Sequence, residues 1–273
     1  MNINCNGNLI DLSTPKVMGI LNVTPNSFYD GGKHKEINSI IHQVDKMLSE
    51  GADFIDIGAY SSKPSAEFVS EEEEIKRLVH IIKELVETFP TIILSVDTFR
   101  ANVAEASVEN GVAIVNDISA GLLDDKMLET VADLKVPYIM MHMRGNPQTM
   151  QSLTDYNDIV KEMIFYFSER IQKARSSGIS DIIIDPGFGF AKTLEQNYEV
   201  LHKMELFSML ELPLLAGISR KSMIYKVLES SPQEALNGTS VLNAIALQKG
   251  AKILRVHDVK EAVECIKLVS KLK

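Results

Sequence analysis

Short aliphatic runs that end on a polar residue recur along the chain: Gly19–Asn22, Phe54–Asp56, Ile92–Asp97, Ala113–Asn116, Tyr138–His142, Ile182–Asp185, Pro213–Gly217 leading to Ser219, and Ile253–His257. Unbroken apolar runs of this length are expected of parallel strands covered on both faces. A helix-length segment separates each run from the next. Eight strand–helix units predict an α/β fold, a (β/α)₈ TIM barrel, in which every strand points its C-terminal end at one rim. The polar terminators then share a single mouth.

The intervening segments carry helical periodicity. Ile37, Ile40, Ile41, Val44, Met47 and Leu48 make one apolar stripe, with Gly51 as the stop signal. Ser70 and Glu73 have capping-box spacing ahead of Ile75, Leu78, Val79, Ile82, Leu85, Val86 and Phe89. The acidic run Glu71–Glu74 falls in the first turn of that helix, where it reads as a solvated start. The longest helix is expected from about Tyr156 to Ser177, ending at Gly178, and Asp258 with Glu261 should cap the last one. Asn6-Gly7, between Ile3 and Leu9, predicts a hairpin over residues 1–14 that closes the barrel floor.

At 273 residues the chain suits one closed barrel, which typically takes about 250, and no linker or repeat divides it, so residues 1–273 read as one domain. A formal charge of −9 argues against nucleic acid or an anionic membrane as partner, while leaving room for a local cationic pocket. Cys5 and Cys265 lie at opposite ends without CxxC spacing, so a disulfide is not expected. No signal-peptide or membrane-span pattern is present, and the expected location is the cytoplasm.

The rim then collects acceptors (Asp97, Asn116, Asp185), cations (Lys221, Arg255 and, on a loop, Lys63), and the neutral or switchable Asn22, Ser62, His142, Ser219, Ser222 and His257. Carboxylates and an amide around an apolar hole suit a flat heterocycle with N–H donors, because one carboxylate accepts two parallel hydrogen bonds. Any one of them alone reads as a cap on a loop amide. Gly217–Ser222 and Arg255-Val-His257 occupy the anion corner of such barrels, which favours a diphosphate. The segments 24–32 and 60–66, rich in Gly, Pro and Ser, read as lids. His42, His80 and His202 fall within helices as packing or surface residues, and only its loop position marks His34. No HxH or HExxH zinc motif, Walker loop or GxGxxG is present; magnesium held mainly by a diphosphate, with an amide oxygen from Asn22, remains open.

Seven segments, in order, carry a family resemblance: Met18–Phe28, Ser95–Thr98, Val115–Ile118, Met141–Gly145, Asp185–Phe190, Ser219–Ser222 and Arg255–His257. Together they resemble the dihydropteroate synthases. The resemblance implies a folate-pathway transferase that joins a dihydropterin-CH₂-diphosphate to 4-aminobenzoate, with sulfonamides competing for the amine position. By the same resemblance Asp97, Asn116, Asp185 and Lys221 form the pterin set, with Met140 beside the ring. Arg255 lies along the pterin and, with Asn22 and His257, holds the diphosphate or its Mg²⁺. Phe28, Ser62, Lys63, Pro64, Phe190 and Ser222 frame the aminobenzoate. Asp97, Lys221, Arg255 and His257 are the expected catalytic residues, Asn22 the expected metal ligand, and a homodimer through the C-terminal helices the expected assembly.

Two departures stand out. The family usually has Gly-Glu-Ser-Thr-Arg-Pro where this chain has Ala59-Tyr-Ser-Ser-Lys-Pro64, and a loop aspartate where it has Asn26. Lys63 keeps a charge without the planar fork of arginine. Two rival functions share the pocket, a pterin-binding methyl-transfer module and a non-catalytic pterin-binding protein. The first has no need of the Ser-Arg-Lys-Ser and Arg-Val-His segments, and the second predicts binding without turnover.

Overall fold

The computed structural model describes residues 1–23, 33–59 and 69–272. Its N-terminus is a hairpin of β1 (Asn2–Cys5) and β2 (Asn8–Asp11), turning through Asn6 and Gly7 at positive φ. Eight parallel strands follow: β3 (Lys16–Asn22), β4 (Phe54–Gly58), β5 (Leu94–Asp97), β6 (Ile114–Asp117), β7 (Tyr138–Met141), β8 (Ile182–Asp185), β9 (Leu215–Ala216) and β10 (Ile253–Val256). They pair in the order β8-β7-β6-β5-β4-β3-β10-β9. The ring closes between β8 and β9 through one bridge, Ile184 to Leu214, supported by the Ile184 amide donating to the Pro213 carbonyl at 3.0 Å.

The helices run outside the ring: α1 (Lys33–Ser49), α2 (Glu71–Thr88), α3 (Ala101–Glu109), α4 (Met127–Leu134), α5 (Ile159–Ser177), α6 (Leu194–His202), α7 (Ser222–Tyr225), α8 (Leu236–Gln248) and α9 (Val259–Val269). Their starts and stops follow local chemistry. Ser70 Oγ accepts from the Glu73 amide, Thr193 and Gln196 form a reciprocal box, and Gly178 ends α5 at φ +105. None of the described helices is long and apolar enough to cross a membrane.

Side-chain alternation along the strands divides the core. Met18, Phe54, Ile114, Ile139, Ile183, Leu215 and Ile253 point inward and form the floor with Ile3, Cys5 and Leu12 of the N-terminal segment. The alternate residues face the helices in a larger layer that includes Val17, Ile55, Val96, Val115, Met140, Ile184 and Leu254. Two residues beyond four of these floor positions, Phe54, Ile114, Ile183 and Ile253, the interior turns polar at Asp56, Asn116, Asp185 and Arg255. The period of two thus sets an apolar floor beneath a polar mouth.

Three expectations change here. Glu74 is no solvated helix start: it is buried, paired with Arg100 at 2.6 Å and accepting from Thr98 Oγ1 at 3.0 Å. Asp258 sits at the start of α9 without capping it, because both its oxygens take the Arg220 guanidinium at 2.7 and 2.9 Å, a stronger charge-assisted pair. The Pro213–Gly217 run forms only a two-residue strand. Both cysteines are free, and Cys265 donates to the Ser240 carbonyl at 3.4 Å instead.

Candidate active site

At the mouth Arg255, on β10, is the hub. Its Nε donates to Asp56 Oδ2 at 2.5 Å and its Nη2 to Asp97 Oδ2 at 2.6 Å. Asn116 Nδ2 donates to the same Asp56 oxygen at 3.0 Å, so β4, β5, β6 and β10 meet in one network. Burial works against the Arg255 cation, but Asp56 and then Asp97 outweigh it and hold the guanidinium above its ordinary range. Burial also pushes the Asp97 carboxyl up to about 7, against the pull of Arg255, with Asp56 adding in the same sense. One guanidinium therefore faces two carboxylates.

Across the mouth, Asp185 ends β8 and Lys221 precedes α7. Asp185 Oδ2 and Lys221 Nζ lie 3.7 and 3.9 Å from where a Cβ on Gly217 would stand, so the glycine leaves room for both. Burial raises the Asp185 carboxyl and lowers the Lys221 ammonium to about 8, and each group counters the shift of the other. Asp185 Oδ1 accepts from the Gly187 amide at 2.8 Å, and Lys221 Nζ donates to the Phe188 carbonyl. The Phe190 ring lies 4.8 Å from Lys221 Nζ. Phe190 and Phe99 pack on a rim cluster of Ile118, Met141, Met143, Met150 and Ala191. The result is a cup with carboxylates and an amide on one side, an ammonium on the other, and an apolar wall.

The anion corner differs in part from its expected form. Arg220, at φ +55, turns away from the mouth to Asp258 and to the carbonyls of Pro232 and Gln233. Ser219 Oγ meets His257 Nδ1 at 3.0 Å and accepts from the His257 amide at 3.2 Å, joining the ends of β9 and β10. Ser222 opens α7, a single turn, next to Lys221. Asn22 is exposed at the end of β3. Phe28, Ser62, Lys63 and Pro64, together with Asn26, Tyr60 and the side chain of His34, lie outside the described residues.

Met140 is the residue that sequence reading misplaced. It is fully buried in the layer between sheet and helices, because Ile139 takes the inward position on β7 and the parity of the strand sends Met140 out. Met141 is the methionine at the rim. Asp56 was visible as a strand terminator, yet its place in the ring was missed; two residues beyond the inward Phe54, the same parity assigns it. His142 stands behind the mouth: its Nδ1 meets Lys192 Nζ at 3.1 Å, and burial, then Lys192, holds its pKa well below the usual value. Lys192 was also missed. Burial lowers its ammonium to about 7, against Asp185.

A closed α/β barrel with such a cup defines an enzyme that binds a polar heterocycle, and the model of the family described as "Pterin binding enzyme" matches residues 18–257. The dihydropteroate synthase of Escherichia coli K12 is 42% identical over 271 residues, covering 98% of this chain and 95% of that one. The Yersinia pestis dihydropteroate synthase, solved with a sulfonamide drug complex, superposes with a TM-score of 0.93 at 41% identity, over 100% and 99% of the two chains. The Xanthomonas albilineans enzyme, solved with 4-aminobenzoic acid, gives 0.91 at 37% identity over 99% and 97%. The chain belongs to the pterin-binding enzymes and, within them, to the dihydropteroate synthases.

Proposed function

We propose that this chain condenses 6-hydroxymethyl-7,8-dihydropterin diphosphate with 4-aminobenzoate to give 7,8-dihydropteroate and diphosphate, with the leaving group departing before the amine attacks. The observation that carries the reading is the convergence of Asp56, Asp97, Asn116 and Arg255 opposite Asp185 and Lys221 in one buried cup. Asp185 and Asp97 accept from the N–H edge of the pterin, and Asn116 adds an amide that both donates and accepts. The ring nitrogens of the pterin stabilise positive charge on the exocyclic methylene carbon. Arg255 and His257 stabilise the charge that builds on the departing diphosphate. Phe190 and Ser222 line the approach of the arylamine, a weak base that needs orientation more than deprotonation.

Among the described residues no group of three His, Cys, Asp or Glu side chains is placed to hold a metal. Asn22 offers one neutral oxygen. That donor set fits Mg²⁺ carried in by the diphosphate and steadied by Asn22, where it would neutralise phosphate charge. The two free, buried thiols suit a reducing cytoplasm. A homodimer completes the reading: Val241 on α8 and Leu268 on α9 are 51% and 72% exposed on adjacent helices, a face that a second copy would cover. Sedimentation equilibrium should give twice the chain mass, and a monomer at micromolar concentration would remove this part.

Incubation with both substrates and Mg²⁺ should yield dihydropteroate, and omitting Mg²⁺ should slow it. With the amine omitted, diphosphate should still appear slowly as water captures the carbon. Strict dependence of diphosphate release on the amine would point to concerted displacement. Pterin binding without any product would favour the non-catalytic rival.

A further inference from the structure

Lys192 has no part in the reaction above, yet its ammonium is buried directly behind the mouth. Each of its three protons has an acceptor: the Gly187 carbonyl at 2.9 Å, the Phe190 carbonyl at 3.0 Å and His142 Nδ1 at 3.1 Å. The segment it gathers is unusual. Gly187, Gly189 and Ala191 all take positive φ, at 67, 81 and 46°. A side chain at Gly187 would meet the His142 carbonyl oxygen at 2.3 Å. Backbone of this kind does not hold its shape unaided, since an alanine in the left-handed region is strained.

Beside Asp185 on the Gly187 amide and the Tyr156 hydroxyl, which donates to the Ala191 carbonyl at 2.9 Å, two further side chains hold it. Lys192 draws in the carbonyls at either end of Gly187–Phe190. Asn197, on α6, accepts from the Gly189 amide at 2.7 Å and donates to the Thr193 carbonyl at 2.6 Å. What the segment presents to the mouth is the Phe190 ring. Phe188, by contrast, is fully buried among the residues between sheet and helices, and its carbonyl accepts from Lys221.

We propose that Lys192, backed by His142, is a positioning residue that sets the Phe190 wall of the arylamine subsite. The inference rests on the reading of Phe190 given above. The loop after β8 sets the amine wall through Phe190, and it meets the pterin half through the Gly187 amide on Asp185 and the Phe188 carbonyl on Lys221.

The test compares Lys192→Met, Asn197→Leu and Phe190→Ala in the full-length enzyme. For each, KM for 4-aminobenzoate, kcat and the Kd for the pterin diphosphate are measured. Both loop variants should raise the amine KM about tenfold, the scale expected of a sub-ångström misplacement, with smaller changes in kcat and a pterin Kd within about threefold. A merely structural lysine would raise both constants together or lower the folded yield alone, and either result in both variants overturns the proposal. If Lys192→Met fails to fold, Asn197→Leu decides by the same criterion. If Phe190→Ala raises the amine KM and the loop variants do not, only the Lys192 inference falls. An unchanged KM in Phe190→Ala overturns the inference and the amine-subsite reading together.

Discussion

Arg255→Leu should cost the protein about 3 kcal/mol of stability and its activity about a hundredfold, the scale of a buried ion pair stripped of one partner. The guanidinium is the cation shared by Asp56 and Asp97, at 2.5 and 2.6 Å, and Asp56 is wholly buried. Without it two carboxylates face each other in the barrel. The deficit should also depend on pH with a definite sign. Asp97 already titrates at about 7 in the folded chain, above the ordinary 3.8, and loss of Arg255 removes the influence that lowers it. The folded variant then binds a proton that the unfolded chain releases, so stability falls as pH rises through and beyond 7 and recovers toward pH 5. Urea unfolding at pH 5 and pH 8 reads both effects. A stability within 0.5 kcal/mol of the parent at both values would show that the network organises nothing.

Asp185→Ala should weaken pterin binding by about 2 kcal/mol or more, some thirtyfold, because it leaves the donor edge of the ligand unpaired in a dry site. Asp185 is 6% exposed, accepts from Gly187 and counters the desolvation of Lys221. Its removal therefore leaves a buried ammonium as well as a lost acceptor. Calorimetric titration with a pterin measures the change. Affinity equal to that of the parent would take Asp185 out of the pterin set.

Much of this mouth was legible in the residues. Parallel strands covered on both faces leave compact aliphatic runs, so all eight were found, and their polar ends pointed to one rim. What the sequence could not supply was inward and outward parity. Met140 and Met141 are chemically alike, and only the pairing of β7 with β8 decides which faces the interior. Asp56 lay hidden for the same reason. Partners separated far along the chain were also out of reach. Nothing local to Asp258 announces that Arg220 will claim it, or that Glu74 will be drawn inward by Arg100. Lys192 stands in a Gly-Phe-Gly-Phe-Ala-Lys segment that reads as a loop, and its burial depends on His142, fifty positions away.

The closure between β8 and β9 has a consequence for heat. Every other strand junction is a continuous ladder, whereas this one is a single bridge beside a two-residue strand. Warming should unzip the hoop there first, and the residues flanking that gap are Asp185 and Lys221. Turnover is thus poised to fade before the bulk of the molecule melts, and a covalent staple at the floor end of the gap, away from Asp185 and Lys221, would extend the working temperature.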